Sequence, residues 1–404
     1  MNIFRALLGT LLVSLQSCSA DYNESVGHTV YNLQISTEVP ADYKVPIRFQ
    51  VPLADTVLEY PARIERRGGY SISFPKVSYE IDLEEDIALA GLPADDDWIL
   101  NANYIDKTFL RHVFCYDLFR SMRPQNEAPL NAFVELRVNG AYQGLYVLME
   151  KLDKSSLGID GRDPEAYIFK EPPIFIPDLT NFRPQYTDNY YQQTYPKIDS
   201  DDRLEAIEAV RSFLVESSDS IFAAEVGQWF DLPNIIDWHL LLLLSNNSDG
   251  LKKNFYLYKK ASDIPLRVAP WDYDHSFGRD GDNEKNLSRW IDCRRSLLLD
   301  RLLNQAFYRT ALADRWQELN DEGILSLAAL LQAVDNHQTV LKPLVGSNFE
   351  RWPVDAETYY DGNNFAAEIA LMKEYLSIRH SMLSEYFRDL VESVQPQTSS
   401  ANGS

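Results

Sequence analysis

The chain has 404 residues, 45% of them hydrophobic and 12% aromatic, enough apolar material for one large core or two ordinary ones. Its formal net charge of −22 excludes a nucleic-acid backbone or an anionic lipid surface as the main partner, because either would repel it.

The first residues, MNIFRALLGTLLVSLQSCSADYNE, carry Arg5 and then an apolar run from Ala6 to Leu15. Residues 1–18 read as an export signal, too short to span a bilayer. Leu15-Gln16-Ser17-Cys18 resembles a bacterial lipobox, which makes Cys18 the expected lipidation site; cleavage after Ala20 is the alternative. No later segment reaches the roughly 18 apolar residues of a membrane helix. The expectation is an exported, membrane-anchored lipoprotein, periplasmic or surface-facing, that meets the membrane only through Cys18.

Residues 19–28 form a polar leader, and residues 29–170 read as β-rich. Strand-like alternation runs through TVYNLQIST, KVPIRFQVPL, LEYPARIERRG and SYEIDL. Gly68-Gly69 marks a turn, with Arg66, Arg67 and Lys76 near enough to meet a phosphate. In ADDDWILNANYIDKTFLRHVFCYDLFRSM the acids read as leading into a helix, and Cys115 reads as a buried thiol within it. A bridge from Cys115 to Cys293 is the minor alternative. AFVELRVNGAYQGLYVLMEKLD is a hairpin about Asn139-Gly140.

Residues 171–198, rich in Pro and Tyr and without period, read as an ordered connector and candidate lid. Residues 199–394 are mostly helical, interrupted by the strands NFYLYKK and PLRVAPWDYD, and residues 395–404 form a disordered tail. The expected class is α+β, with a β-rich amino lobe, an α-rich carboxyl lobe and a cleft between them.

Within LLLLSNNSDGLKKNFYLYKK, Asp249 precedes Asn254 by five positions, and Asp272 follows 23 positions after Asp249. A hairpin between them would gather a carboxamide and two carboxylates. Such hard oxygen ligands suit Mg2+ or Mn2+ on nucleotide phosphates, and no Cys/His cluster argues for zinc. Phosphoryl transfer needs little more than those groups and a cation. The competing reading of the same residues is an Asx turn from Asn246 to Gly250 and an Asp272 that caps an element.

Five blocks, RGGYSISFPKVSY, DDDWILNANYIDKTFLRHVFCYDLFR, FVELRVNGAYQGLYVLMEKLD, NNSDGLKKNFYLYKK and VAPWDYDHSFG, stand in the order seen in the spore coat protein H (CotH) family of atypical protein kinases. The resemblance covers about residues 60 to 390. It implies a kinase-like two-lobe fold, ATP with a divalent metal, and phosphorylation of Ser/Thr in a protein substrate. With the export signal, that substrate is expected at the cell surface or envelope, and the chain is expected to be a monomer. It implies Asp249 as the catalytic carboxylate, Asn254 and Asp272 as metal ligands, and Asp274 as a further one. Lys76 resembles the nucleotide-phosphate lysine, and Met149-Glu150-Lys151 the interlobe hinge. The helix after Asp106 has no glutamate to pair with Lys76, leaving Asp106, Asp117 or another residue for that role. Lys197 is a candidate second cation.

His275 beside Asp274 lacks the nucleophile elbow of a hydrolase, and DYDHSFGRDGDN lacks the Gly and Glu of a calcium loop. His239, in an apolar helix, reads as a core histidine. Because ATP is scarce outside the cytoplasm, a non-catalytic kinase-like adhesin or scaffold is the first alternative to an enzyme. A divalent-metal phosphohydrolase is the second.

Overall fold

Strand alternation in the amino-terminal part resolves into a closed barrel. The computed structural model describes residues 29–53, 55–180, 189–280, 284–354 and 362–394. The export signal with Cys18, the polar leader, residues 181–188 of the connector and the tail lie outside the described residues.

The barrel strands are β1 (Val30–Gln34), β2 (Val45–Pro52), β3 (Val57–Arg67), β4 (Ser78–Ala88), β5 (Ala94–Asn101), β6 (Asn131–Val138) and β7 (Ala141–Glu150). They pair in the order β1-β2-β3-β4-β5-β7-β6, and a parallel β1–β6 pairing closes the ring. Period-2 alternation turns Ile47, Phe49, Ile81, Leu83, Trp98, Leu100, Tyr146 and Leu148 inward. The opposite face of β5 and β7 is apolar too. There Ile99, Leu145, Val147 and Met149 pack on a second core shared with helix α1 (Arg111–Met122). Burial on both faces explains the unbroken apolar run of β7. The Asn139-Gly140 turn is left-handed at both residues, and the Asn139 carboxamide exchanges two hydrogen bonds with the Ile35 backbone, tying the hairpin to the end of β1.

One expectation is corrected here. Asp95, Asp96 and Asp97 do not lead into a helix; they lie on β5, because Trp98 and Leu100 belong to the barrel interior. The N-terminus of α1 is instead served by Asp106, which accepts from the Arg111 N–H at 2.9 Å.

A second, antiparallel sheet has the order β11-β10-β8-β9, built from β8 (Tyr167–Lys170), β9 (Gln193–Tyr195), β10 (Phe255–Lys259) and β11 (Arg267–Pro270). Strand β8 comes from the end of the β-rich amino-terminal part and β9 from the Pro- and Tyr-rich connector. Part of that connector is core: Ile174 and Phe175 are buried, and Phe175 stacks on Phe255 at 5.3 Å.

The remaining elements are helices: α2 (Leu204–Glu216), α3 (Asp219–Trp229), α4 (Leu232–Ser245), α5 (Leu297–Leu303), α6 (Ala306–Asp321), α7 (Leu327–Leu341), α8 (Val345–Arg351) and α9 (Phe365–Val394). The class is α+β. Helix α4 is the central rod: Asp231 caps it, every residue from Asn234 to Ser245 is buried, and it stops at Asn246 in the left-handed region. His239 lies in this rod and pairs through Nδ1 with the Tyr308 hydroxyl at 3.1 Å. Cys115 and Cys293 are free, buried thiols. Among the described residues no helix is long and apolar enough to cross a membrane.

Helix α8 is laid against β7 by polar contacts. Asn348 Oδ1 accepts from the Leu145 N–H at 3.1 Å, and Trp352 Nε1 donates to the Gln143 carbonyl at 2.7 Å. Gly144 makes this approach possible. Its φ is +109°, and a Cβ there would lie 2.6 Å from Asn348 Oδ1 and 3.1 Å from Trp352 Nε1. Gly144→Ala is expected to lose about 1–3 kcal/mol through strain and this collision, read as a lower urea midpoint with unchanged slope.

Candidate active site

The site begins where α4 ends. After Asn246 the chain makes a short 3-10 turn, Asp249–Leu251, and enters β10. Asn247 Oδ1 accepts from the Gly250 N–H at 3.2 Å, and a Cβ on Gly250 would lie 2.5 Å from Leu242 Cδ2, so the turn packs tightly under the helix. Asp249 projects from this turn with its side chain 41% exposed, held by Lys253 at 3.2 Å. The expected hairpin is present, with Phe255 opposite Pro270. It brings Asn254 to Asp272: the Asn254 Nδ2 donates to the Asp272 carbonyl at 2.7 Å, leaving the amide oxygen as acceptor. Glu171, which sequence reasoning did not single out, accepts the Asn254 N–H through Oε1 at 3.1 Å.

Asp272 is fixed at its backbone by the Tyr116 hydroxyl, which accepts from its N–H at 3.1 Å. Its carboxylate is 51% exposed, open on one side and crowded by protein on the other. His112, from α1, lies 3.2 Å from Asp272 Oδ1 through Nε2. Burial depresses the His112 pKa, but the bond to Asp272 and the charges of Asp274 and Asp272 outweigh it and push it upward. The same bond outweighs crowding at Asp272 and moves its pKa down, whereas burial and the charge of Asp272 move Asp274 up. His112, Asp272 and Asp274 offer ligand atoms within 4.8 Å of one another. Two carboxylates crowded to the point of opposite shifts, with a carboxamide oxygen beside them, fit a divalent cation. The added imidazole favours Mn2+ over Mg2+ wherever it ligates directly. No sequence spacing marks His112, since it lies 160 positions from Asp272.

Burial lowers the Lys253 pKa, but the charges of Asp249, Asp272 and Glu171 and its bond to Asp249 outweigh this and push it upward. Two further cations share one aromatic ring. Arg67 and Lys170 lie over the Trp271 ring at 5.4 and 5.9 Å, and Lys170 is also within the field of Asp272. Burial holds the Lys170 pKa below its ordinary value.

Other candidates have different surroundings. Lys76 is 1% exposed; its ammonium donates to the carbonyls of Ala102 (2.8 Å) and Leu145 and to Asn348 Oδ1 (3.0 Å), between the rings of Phe109 and Tyr146. Burial holds its pKa well below the lysine value. Arg66, next to last on β3, has a buried Nε with no partner among the described residues. Met149 faces the helical core, Glu150 accepts the Leu130 N–H at 3.0 Å with its pKa raised by burial, and Lys151 pairs with Glu80 at 2.8 Å. Lys197 is exposed. Asp117 pairs with Arg120 and His337. A cavity of about 250 Å³ between α2, α3 and the second sheet contains none of these residues.

Asp106 meets Arg111 rather than Lys76. Arg111 is 1% exposed; its NH1 donates to Asp106, its Nε to the Ser276 carbonyl at 2.9 Å, and its NH2 to Glu368 at 3.2 Å. Glu368 also accepts from Arg279 and, at 2.9 Å, from Asn363. This buried network joins α1, the segment after Asp272, and α9.

Comparison with known proteins now gives the class: this is a kinase-like protein. The family model for CotH kinase protein matches residues 64–383, and the chain belongs to that family. It is 22% identical over 337 residues to the inner spore coat protein H of Bacillus subtilis (strain 168), spanning 81% of this chain and 86% of that protein. A crystal structure of the Helicobacter pylori proinflammatory kinase CtkA aligns with a TM-score of 0.28 at 10% identity, over 79% of this chain and 95% of that one.

Burial raises the Glu368 pKa, but its bond to Arg279 and the charge of Arg111 outweigh this and bring it from the ordinary 4.5 to about 2. Because the folded value is the lower one, this contribution is complete above pH 4.5 and is lost as pH falls toward 2. Glu368→Gln is expected to cost about 3–5 kcal/mol at neutral pH. It is also expected to flatten the acid-side slope of urea stability between pH 4.5 and 2.

Proposed function

We propose that the chain is an exported, metal-dependent protein kinase, anchored through Cys18, that transfers the terminal phosphoryl group of ATP to a Ser or Thr hydroxyl of a protein at the cell surface or envelope. The observation that carries this reading is the joint between Asn254 and Asp272 beside Asp249, with His112 and Asp274 completing a cation-ready cluster. A kinase-like two-lobe arrangement, with nucleotide between the barrel and the helical part, is the fold that accompanies it.

Asp249 is the group placed to accept the acceptor's proton: it is partly exposed, on a rigid turn, and its lysine partner is itself solvent-accessible. As the hydroxyl oxygen bonds to phosphorus, the bond from phosphorus to the ADP oxygen breaks, and Asp249 holds the proton. Asn254, Asp272 and Asp274 would hold Mg2+ or Mn2+, whose contribution is to neutralise phosphate charge. Lys170 and Arg67 lie over the ring of Trp271, next in sequence to Asp272, and in this reading supply the cationic contact to the phosphates. Lys76 reaches a phosphate only if its three oxygen partners release it. Its cage supports a role in holding β7 and α8 together. Met149-Glu150-Lys151, at the exit from the barrel, remains the proposed hinge.

With labelled ATP and Mn2+ or Mg2+, the chain should transfer label to protein, and Asp249→Ala and Asp272→Ala should each abolish it. Free phosphate without labelled protein would indicate the phosphohydrolase, and absence of metal-dependent nucleotide binding would leave the non-catalytic scaffold. Lys170→Ala should raise KM for ATP about tenfold, the loss of one charge-assisted contact of about 1.4 kcal/mol. Lys76→Met should chiefly lower the melting temperature; the reverse pattern would return the phosphate role to Lys76.

A further inference from the structure

At one position beside the site the chain holds a long side chain on a backbone that suits glycine. Glu171, the residue after β8, has φ +53°. The left-handed region is cheap for Gly, and for Asn or Asp with their short polar side chains, but costly for Glu. Pro172 follows, and the residue before a proline is ordinarily extended. Strained conformations of this kind persist where surrounding contacts over-determine them, and they cluster at functional sites. The contacts that hold Glu171 therefore bear on what its side chain does.

Its backbone is clamped to the start of β10. The Glu171 N–H donates to the Phe255 carbonyl at 2.9 Å, and Phe175, in the same segment, stacks on the Phe255 ring at 5.3 Å. The residue before Phe255 is Asn254, and Glu171 Oε1 accepts its N–H at 3.1 Å. Asn254 is buried and itself left-handed, with φ +62°. Its carbonyl accepts from the Trp271 N–H at 3.0 Å, and its Nδ2 donates to the Asp272 carbonyl at 2.7 Å. The bond to Glu171 thus completes a set that engages the N–H, the carbonyl and the Nδ2 of Asn254, with its carboxamide oxygen as the remaining acceptor. The charge of Glu171 acts mainly on lysines. At Lys170, burial lowers the pKa against the charge of Glu171, and at Lys253 that charge adds to those of Asp249 and Asp272. The ligand atoms that lie within 4.8 Å of one another belong to His112, Asp272 and Asp274, and Glu171 is not in that group. This placement fits a role exerted through Asn254 rather than a direct bond to metal.

We infer that Glu171 is a positioning residue for the cation site: by accepting the Asn254 N–H, its carboxylate keeps Asn254 in the left-handed conformation in which the carboxamide lies against Asp272. The inference rests on the metal-dependent reading for the cation, and on the strained Glu171 backbone and its bond for the role. Partners that orient a metal-ligating group in this way typically change metal affinity by about 10–100-fold when removed.

The test measures Mn2+ affinity of the full chain from the paramagnetic resonance signal of the free ion, at a temperature where circular dichroism shows every variant folded. The binding that Asp272→Ala removes defines the site. Glu171→Gln keeps an oxygen that accepts the Asn254 N–H and should bind Mn2+ within about twofold of the unsubstituted chain, whereas Glu171→Met, of similar length but without an acceptor, should bind about tenfold more weakly. Glu171→Gly separates the role from the fold. It loses the acceptor but relieves the left-handed strain, so its urea midpoint should stay above that of Glu171→Met while its Mn2+ affinity falls as far. Unchanged affinity in the Met and Gly variants, or affinity that follows the urea midpoint, would leave Glu171 a purely structural residue and overturn the inference. An equal loss in Glu171→Gln would also overturn it, because charge rather than the bond would then be acting. Binding that needs Asp272 but ignores Glu171 sinks the inference alone. No binding at millimolar Mn2+, or binding indifferent to Asp272→Ala, sinks the metal-dependent reading and the inference with it.

Discussion

The position of α1 depends on answering one buried charge. Arg111 enters the interior at the first turn of the helix, where water cannot solvate it, so every donor of its guanidinium requires a protein acceptor. Asp106, Thr108 Oγ1, the Ser276 carbonyl and Glu368 serve as acceptors, and Arg279 balances the second carboxylate. Two acids and two arginines leave no net charge behind. Apolar contacts between a helix and its neighbours tolerate small slides, whereas a fork of directional donors does not. The network therefore fixes the register of α1 against α9 and against the segment that follows Asp272.

That register is inherited by the site. His112 is the next residue after Arg111 and reaches Asp272, while Ser276, four positions beyond Asp272, is held by the same guanidinium. The aromatic pair Phe114–Phe277, edge to face at 5.0 Å, fills the space between the two segments. Tyr116, one turn along the helix from His112, fixes the Asp272 N–H. A single helix face thus positions both the backbone and the carboxylate of Asp272. Asp249 and Asn254 come from a different part of the chain, the segment between α4 and β10.

What the sequence revealed and what it hid follow from the range of the interactions. The Asn139-Gly140 hairpin, the leucine-rich rod of α4 and the meeting of Asn254 with Asp272 are local, set by period, turn chemistry and an 18-residue separation. The barrel closure by β1 and β6, the reach of His112 to Asp272 and the pairing of Arg111 with Glu368 are not. The last two span 160 and 257 positions, and no spacing rule connects such residues. Asp95 to Asp97 were misread because three acids before an apolar run look like a helix start. Their strand identity comes from neighbours, chiefly the inward positions of Trp98 and Leu100. The bounds of helix α3 have no such signal, because only Phe222 and Val226 of its surface are buried, too short a stripe to register as a period.

At the candidate site a turn and a proposed reactive centre make the same demand on the backbone. Ten described residues other than glycine have positive φ, and five of them, Glu171, Asn246, Asn254, Asp272 and Phe277, lie within this one region. For Asn and Asp the left-handed conformation is cheap, because a short polar side chain bonds locally. For Glu171 and Phe277 it is costly, and such conformations persist where surrounding contacts over-determine them. Glu171 is held by the Asn254 N–H and by its own N–H donating to Phe255, and the Phe277 N–H donates to Ser245. Asn254 and Asp272 are thus residue types that tolerate a left-handed backbone and also carry the oxygens that the proposed cation site needs. The conformation that lets the chain turn sharply at each of these two positions also brings the carboxamide of one to the carbonyl of the other, and the turn itself assembles the site.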